Sequence, residues 1–400
     1  MNAWATPLVL NLTDSKAIHG LVLRNTGGHV HEDTVNTHPS VVFRASNNDI
    51  MAAINITIAS TATMDVLNIE FDNIVPSRVT GSYLLDIYVP TQSLHYLEAT
   101  QDRDVVVDPN ALSMDAAQDV SIIASGGGNV YVQATNVAAN HLLIAARSTG
   151  SIQLSIDDSI VASDIEVVAT SSGSIWLLTS STRSSLLTTY TLGSGNAIVA
   201  ATNSLAVDTM LTHALGDGSI VFPNSGGACN ASVVETMAGG SVYANLVDCF
   251  DSKVSLGGSG DVYLSSTVSL EVDDSGQGSV FAALAAATTT TGPFSPVPTN
   301  LVIPGYTILN VPDDFVHHID LAGDSSDDDT THAPSLRTHK SSDVGLLVFG
   351  IAMLVAAAAT YALYRFKKAR HAKRSMDNKL ADSGFVHVST PKETTTTLSL

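Results

Sequence analysis

The stretch GGSGDVYLSST, Gly257–Thr267, joins a glycine pair to a short polar residue and an alternating apolar run. The phrase recurs upstream as GGGNVYVQAT from Gly126, TGSIQLSI from Thr149, SGSIWLLTS from Ser172 and SGNAIVAAT from Ser194. DGSIVFP, GGSVYANL and QGSVFAAL repeat it again. The opening glycines are Gly128, Gly150, Gly173, Gly195, Gly218, Gly240, Gly260 and Gly278, spaced by 22, 23, 22, 23, 22, 20 and 18 residues. A period in the twenties marks a stack of coils.

Each phrase obeys one grammar. The residue after the glycine is Asn, Ser or Asp throughout. Two and four residues after it come apolar residues, from Val130 and Val132 to Val280 and Ala282. Positions two apart on a strand share a face, so these columns point into one core. A second alternating run follows in each period, as in DIEVVAT and VSLEVDD. The pattern predicts an all-β, single-stranded parallel β-solenoid over 119–287, with glycine turning the corner and the polar residue solvating it. Residues 18–118 alternate less regularly and are expected to form the first coils or a cap.

The chain has 400 residues, 44% hydrophobic, with a formal net charge of −20. From Arg365 onward there are eight Lys/Arg against three Asp/Glu; the remainder therefore holds ten against 35, a net of −25. So acidic a body repels phosphates, and no nucleic-acid partner is expected. Val344–Tyr364 is an uncharged run of 21 residues, about 31 Å as a helix, and reads as one C-terminal transmembrane α-helix. The basic cluster after it puts the tail 365–400 in the cytoplasm and residues 1–343 outside. Residues 288–343, rich in Thr, Pro and Asp, read as a stalk. Residues 1–17 make a poor signal peptide, expected to be absent or truncated.

Three sequons, at Asn11, Asn55 and Asn230, precede the span and are expected N-glycosylation sites. Cys229 lies eleven residues after Gly218 and Cys249 nine after Gly240, which predicts a disulfide between neighbouring coils. Three residues after each glycine stand Tyr131, Gln153, Trp176, Ile198, Val221, Tyr243, Tyr263 and Phe281. This outward column is either a stiffening ladder or, through Tyr131, Trp176, Tyr243, Tyr263 and Phe281, a strip on which sugar rings or a partner stack.

Residues 18–285 resemble the auto-transporter adhesin head (GIN) domain family, in DIYVPTQSLHYLEAT and the serial SGSGDV-type phrases. The resemblance implies a β-solenoid head without catalytic residues. It supports a cell-surface adhesin-like or structural protein, held by a single membrane span, with a glycan or extracellular protein as ligand. The alternatives are a carbohydrate-active β-helix enzyme, lyase or hydrolase, and a receptor acting through its tail. The adjacent pairs Asp157–Asp158 and Asp273–Asp274 read as solvated turns rather than acid–base pairs. His29 and His31 in HVHEDTVNTH share a strand face beside Glu32 and Asp33. A metal site can look like this, but such histidines are more often solvated loop residues. No catalytic residue, metal or cofactor is expected.

Overall fold

Small residues and β-branched apolar residues alternate along the repeats, and the backbone answers with long bent strands. Val130–Ala146, Ile152–Ala169, Ile175–Thr191 and Ala197–Ala214 each run 17 or 18 residues and pair in parallel, in register, with the next. The computed structural model describes residues 4–12, 18–61, 64–71, 78–223, 226–312 and 315–321. They form a parallel β-solenoid of about nine turns. The expected span Val344–Tyr364 and the tail 365–400 lie outside the described residues; among the described residues no helix is long and apolar enough to cross a membrane.

Each coil has three hydrogen-bonded faces where two were expected. Between the first two full coils, pairing covers 130–134, 136–139 and 141–146, with breaks at the two corners. The middle face is too short to show an alternation of its own. The columns two and four after each glycine are buried along the whole stack. Leu154 and Leu177 are fully enclosed, and each such side chain contributes roughly 1.5–3 kcal/mol through burial.

The repeated glycine has a steric cause. A Cβ on Gly173 would strike the carbonyl oxygen of Gly150, one on Gly195 that of Gly173, and one on Gly218 that of Gly195. The same relation holds for Gly240, Gly260 and Gly278. The backbones meet so closely here that no side chain fits, a close-approach use of glycine rather than a positive-φ one.

The polar residue beside it does more than face water. Asn129 Oδ1 accepts from the amide of Ser151 at 3.1 Å, and Ser151 Oγ from Ser174 at 3.0 Å. Ser174 Oγ then accepts from Asn196 at 3.0 Å, and Asn196 Oδ1 from Ser219 at 2.8 Å. Ser219, Ser241 and Asp261 continue to Ser279, and Asp104 begins the series by accepting from Asn129 at 2.7 Å. Every coil thus satisfies a corner amide of the next.

The N-terminal region is both coils and cap, and its coils are out of sequence order. Ile18–Arg24 lies between Asp65–Phe71 and Tyr96–Thr100, parallel to both. Likewise Gly28–Asp33 lies between Val79–Pro90 and Val105–Val107. Leu8–Asn11 and Ser40–Ala45 close the end of the stack, the second antiparallel to Val79–Pro90, and Ile54–Ser60 pairs antiparallel with Asp65–Phe71. One helical stretch, Asn48–Ala53, escapes the pattern; Asn47 caps it by accepting from the Ile50 amide at 2.9 Å.

Residues 289–312 and 315–321, expected within a stalk, are built into the head. Thr289–Thr291 and Ser295–Pro296 finish the last coils, and His317–Leu321 pairs antiparallel with Val79–Pro90 at the other end. The physical reason is apolar content hidden among prolines: Leu301, Ile303, Tyr306, Leu309 and Val311 are all half-buried.

Candidate functional site

The outward column three after each glycine extends past the repeats. Tyr131 pairs with Val106, Val106 with His29, and His29 with Asp86, so these positions continue one external line across the N-terminal coils. The returning chain runs along this line. Ser295 pairs with Phe281, Leu309 bonds Gln153, Phe315 lies 4.3 Å from the ring of His29, and His317 pairs with Tyr83. The anchors occur in reverse coil order, so the described residues 295–312 and 315–317 form a strap laid back along the solenoid axis.

That strap alters the reading of the aromatic strip. Tyr131 is 4% exposed and offers no open face. Trp176, Tyr243, Tyr263 and Phe281 are half-buried. Tyr243 stacks on Tyr263 at 5.0 Å and Tyr263 on Phe281 at 4.9 Å, with interplanar angles of 12° and 8°. This is the geometry of a stiffening ladder.

The open surface lies on the opposite side of the coil. A groove of about 620 Å³ crosses several coils at the middle face and is lined by Val161, Arg183, Asp208, Asn230 and Phe250. Val161 is 48% and Phe250 54% exposed. Arg183 and Asp208 come from adjacent coils, and Asn230 Nδ2 donates to Asp208 Oδ1 at 3.1 Å. Small residues make the floor: Ala139, Ala162, Ser184, Val207 and Cys229 follow one another in register. Cys249 follows Cys229 in that column, paired coil to coil, with Cα atoms 4.4 Å apart and a disulfide joining them. Of the sequons, Asn11 and Asn230 are exposed, while Asn55 is half-buried with Nδ2 3.4 Å from Glu70 Oε1. Asp157 and Asp158 are both exposed at a corner where the register shifts, as are Asp273 and Asp274 on a strand end.

The histidines are the feature the sequence undervalued. His29 and His31 lie on the strand Gly28–Asp33, half-buried, with rings 3.8 Å apart. Asp108 follows Val105–Val107, and its amide bonds Val30 O at 2.8 Å, which sets its carboxylate level with both rings. His29 Nε2 is 2.5 Å from Asp108 Oδ1 and His31 Nδ1 2.9 Å from Oδ2. On the far side His31 Nε2 is 3.1 Å from Asp86 Oδ1, and Arg44 holds Asp86 Oδ2 at 2.6 Å. Burial pulls the His31 pKa down, but the hydrogen bonds and charges of Asp86 and Asp108 outweigh it and leave it raised. The His31 hydrogen bond, with Arg44, holds Asp86 below the usual carboxylate value against its burial. Among the described residues, His29, His31 and Asp108 form the group that could hold a metal ion. The clue available beforehand was the i, i+2 pair; Asp108 stands 77 residues from His31.

No protein-family profile and no curated protein sequence matches the chain. Among solved structures, a candidate adhesin from Parabacteroides distasonis ATCC 8503 is 14% identical over 74% of this chain and 98% of its own, with a TM-score of 0.36. One from Bacteroides fragilis NCTC 9343 is 12% identical over 73% and 97%, TM-score 0.38. A candidate lipid binding protein from Parabacteroides distasonis ATCC 8503 is 13% identical over 73% and 97%, TM-score 0.37. Likenesses at this level carry no argument about function, which rests on the chain's own geometry.

Proposed function

We propose that this chain is an adhesin-like surface protein whose β-solenoid head binds an extended glycan or protein segment along the open groove. One observation carries the reading: the groove runs along the solenoid axis and carries a cation, a carboxylate, an amide and an exposed ring at Arg183, Asp208, Asn230 and Phe250. A long ligand can meet one of these groups on each successive coil, and several contacts along one chain suit avid capture of a polymer. The reading holds the head outside a membrane by the span Val344–Tyr364, with the basic tail in the cytoplasm.

The test is a glycan and matrix-protein binding screen with the full chain, followed by Arg183→Glu and Phe250→Ser. Binding should fall at least tenfold in each variant with the melting temperature unchanged. Ligand binding that survives both substitutions would remove the groove from consideration. Arg183 and Asp208 projecting from adjacent coils also favour a second reading, a polysaccharide-cleaving enzyme. New chain ends released from a bound polymer, and lost in Asp208→Asn, would select it.

A further inference from the structure

We propose that His29, His31 and Asp108 form a binding site for a divalent transition-metal ion of the zinc class, on the outer face of the N-terminal coils.

Two neighbouring strands build the site. The strand period places both imidazoles on one face of Gly28–Asp33. Parallel pairing with Val105–Val107 brings Asp108 beside them. Both imidazole nitrogens aimed at Asp108 reach one carboxylate, at 2.5 and 2.9 Å. The three donor atoms all lie within 4.8 Å of one another. Bonds of about 2.0–2.1 Å to a tetrahedral ion set donor–donor separations of about 3.3 Å. Opening the two hydrogen-bond distances by less than about 1 Å therefore admits an ion between the three groups.

The outer shell is also in place. A metal-bound imidazole ordinarily gives its other N–H to a carboxylate, which fixes tautomer and ring plane. His31 Nε2 faces Asp86 in that manner, and Arg44 anchors Asp86 in turn. Tyr88 stacks on His31 at 4.9 Å, and Phe315 of the strap covers His29 at 4.3 Å. The rings are held on both sides, so little side-chain freedom remains to be lost on binding. Two imidazoles and one carboxylate suit zinc, copper or nickel, whereas calcium and magnesium call for oxygen donors throughout. Three protein ligands leave a fourth position for water or a ligand group. The exposure of Asp108, 34% at the side chain, leaves an entry path.

The experiment uses the untagged full-length chain, stripped with a chelator and titrated with zinc against a chromophoric competitor. One tight equivalent is expected. His29→Ala and Asp108→Ala should each weaken it by about 100-fold or more, and Asp86→Asn by about 10–100-fold. His213→Ala, at a separate histidine paired with Glu235, should leave it unchanged. Cobalt added to the stripped wild type should give the visible bands of a four-coordinate ion. Circular dichroism checks that each variant folds. If the alanine variants do not fold, the cobalt spectrum of the wild type and the Asp86→Asn titration decide. The proposal is overturned if zinc binds the His29→Ala variant as tightly as the wild type, or if cobalt gives no such bands. Either result would leave the cluster as a hydrogen-bonded brace between coils.

Discussion

The backbone amide of Leu309 donates a 2.7 Å hydrogen bond to Oε1 of Gln153, a residue 156 positions earlier in the chain. Gln153 is 4% exposed and stands in a column otherwise filled by rings and aliphatic groups. Its amide is the polar fastener of the strap.

Gln153→Leu keeps the volume of that side chain and leaves the Leu309 amide without its acceptor. The loss amounts to roughly 1–2 kcal/mol, or a factor of about 5–30 in the population of opened strap. Limited proteolysis should therefore cut between Val297 and Val311 several-fold faster in the variant, with the solenoid strands uncut. Equal cleavage rates would mean that the apolar contacts alone hold the strap.

The glycine column predicts an asymmetry among glycine substitutions. Alanine at Gly195 or Gly218 meets a backbone carbonyl of the preceding coil, which cannot swing aside as a side chain would. Overpacking of this kind costs about 1–3 kcal/mol and sometimes more. Gly305, with nothing near its Cβ position, is the control. Denaturant midpoints should fall for Gly195→Ala and Gly218→Ala and stay within error for Gly305→Ala.

Thr189 and Thr212 face each other across adjacent coils, both buried, and neither hydroxyl has a hydrogen-bond partner. Valine has the same shape without the unpaired donor. Thr212→Val should stabilise the fold by about 1 kcal/mol, seen as a raised denaturant midpoint with an unchanged slope. A lowered midpoint would show that the hydroxyl has a partner after all.

How far each of these features could be read beforehand follows from how local its cause is. Gly128 to Gly278 announce the coil because every turn repeats the same close approach. The oxygen-bearing residue after each glycine is visible too, but its role is not, since the amide it serves lies one period away. The strap is not legible in sequence because TTTTGPFSPVPT has the composition of a disordered segment. Its apolar residues are spaced by two or three and bury only against a partner surface that sequence does not place. Asp108 shows no periodic relation to His31, so their meeting depends wholly on which coil stacks beside which. The insertion of Ile18–Arg24 between two later strands is likewise a property of the stack.

The disulfide is the opposite case, legible from offsets within the repeat. Closing a loop of 20 residues stabilises by about 3 kcal/mol on the chain-entropy account. Cys229 and Cys249 are 4% and 3% exposed, so alkylation after reduction should require denaturant. The double variant Cys229→Ala/Cys249→Ala should unfold at a clearly lower denaturant concentration. Thiols that react freely in the folded oxidised protein would contradict the pairing.

The tyrosines give the chain a predictable alkaline limit. Burial raises the pKa of Tyr83, Tyr88, Tyr131 and Tyr190, and of Tyr96 beside Glu98. In the stacked ladder, desolvation first and then the Asp261 carboxylate push Tyr263 up to about 12. A raised folded-state value means that the folded protein keeps protons which the unfolded chain releases near pH 10. The associated stability is fully present below about pH 10 and is lost as pH rises through the folded values. Absorbance at 295 nm should accordingly show the ionisation of these six tyrosines displaced above the ordinary value of about 10, or coupled to unfolding. In Asp261→Asn the ladder loses its nearby charge, and Tyr263 should titrate at lower pH. Titration of Tyr263 at the ordinary tyrosine value of about 10 would refute the stacked arrangement of the outer column.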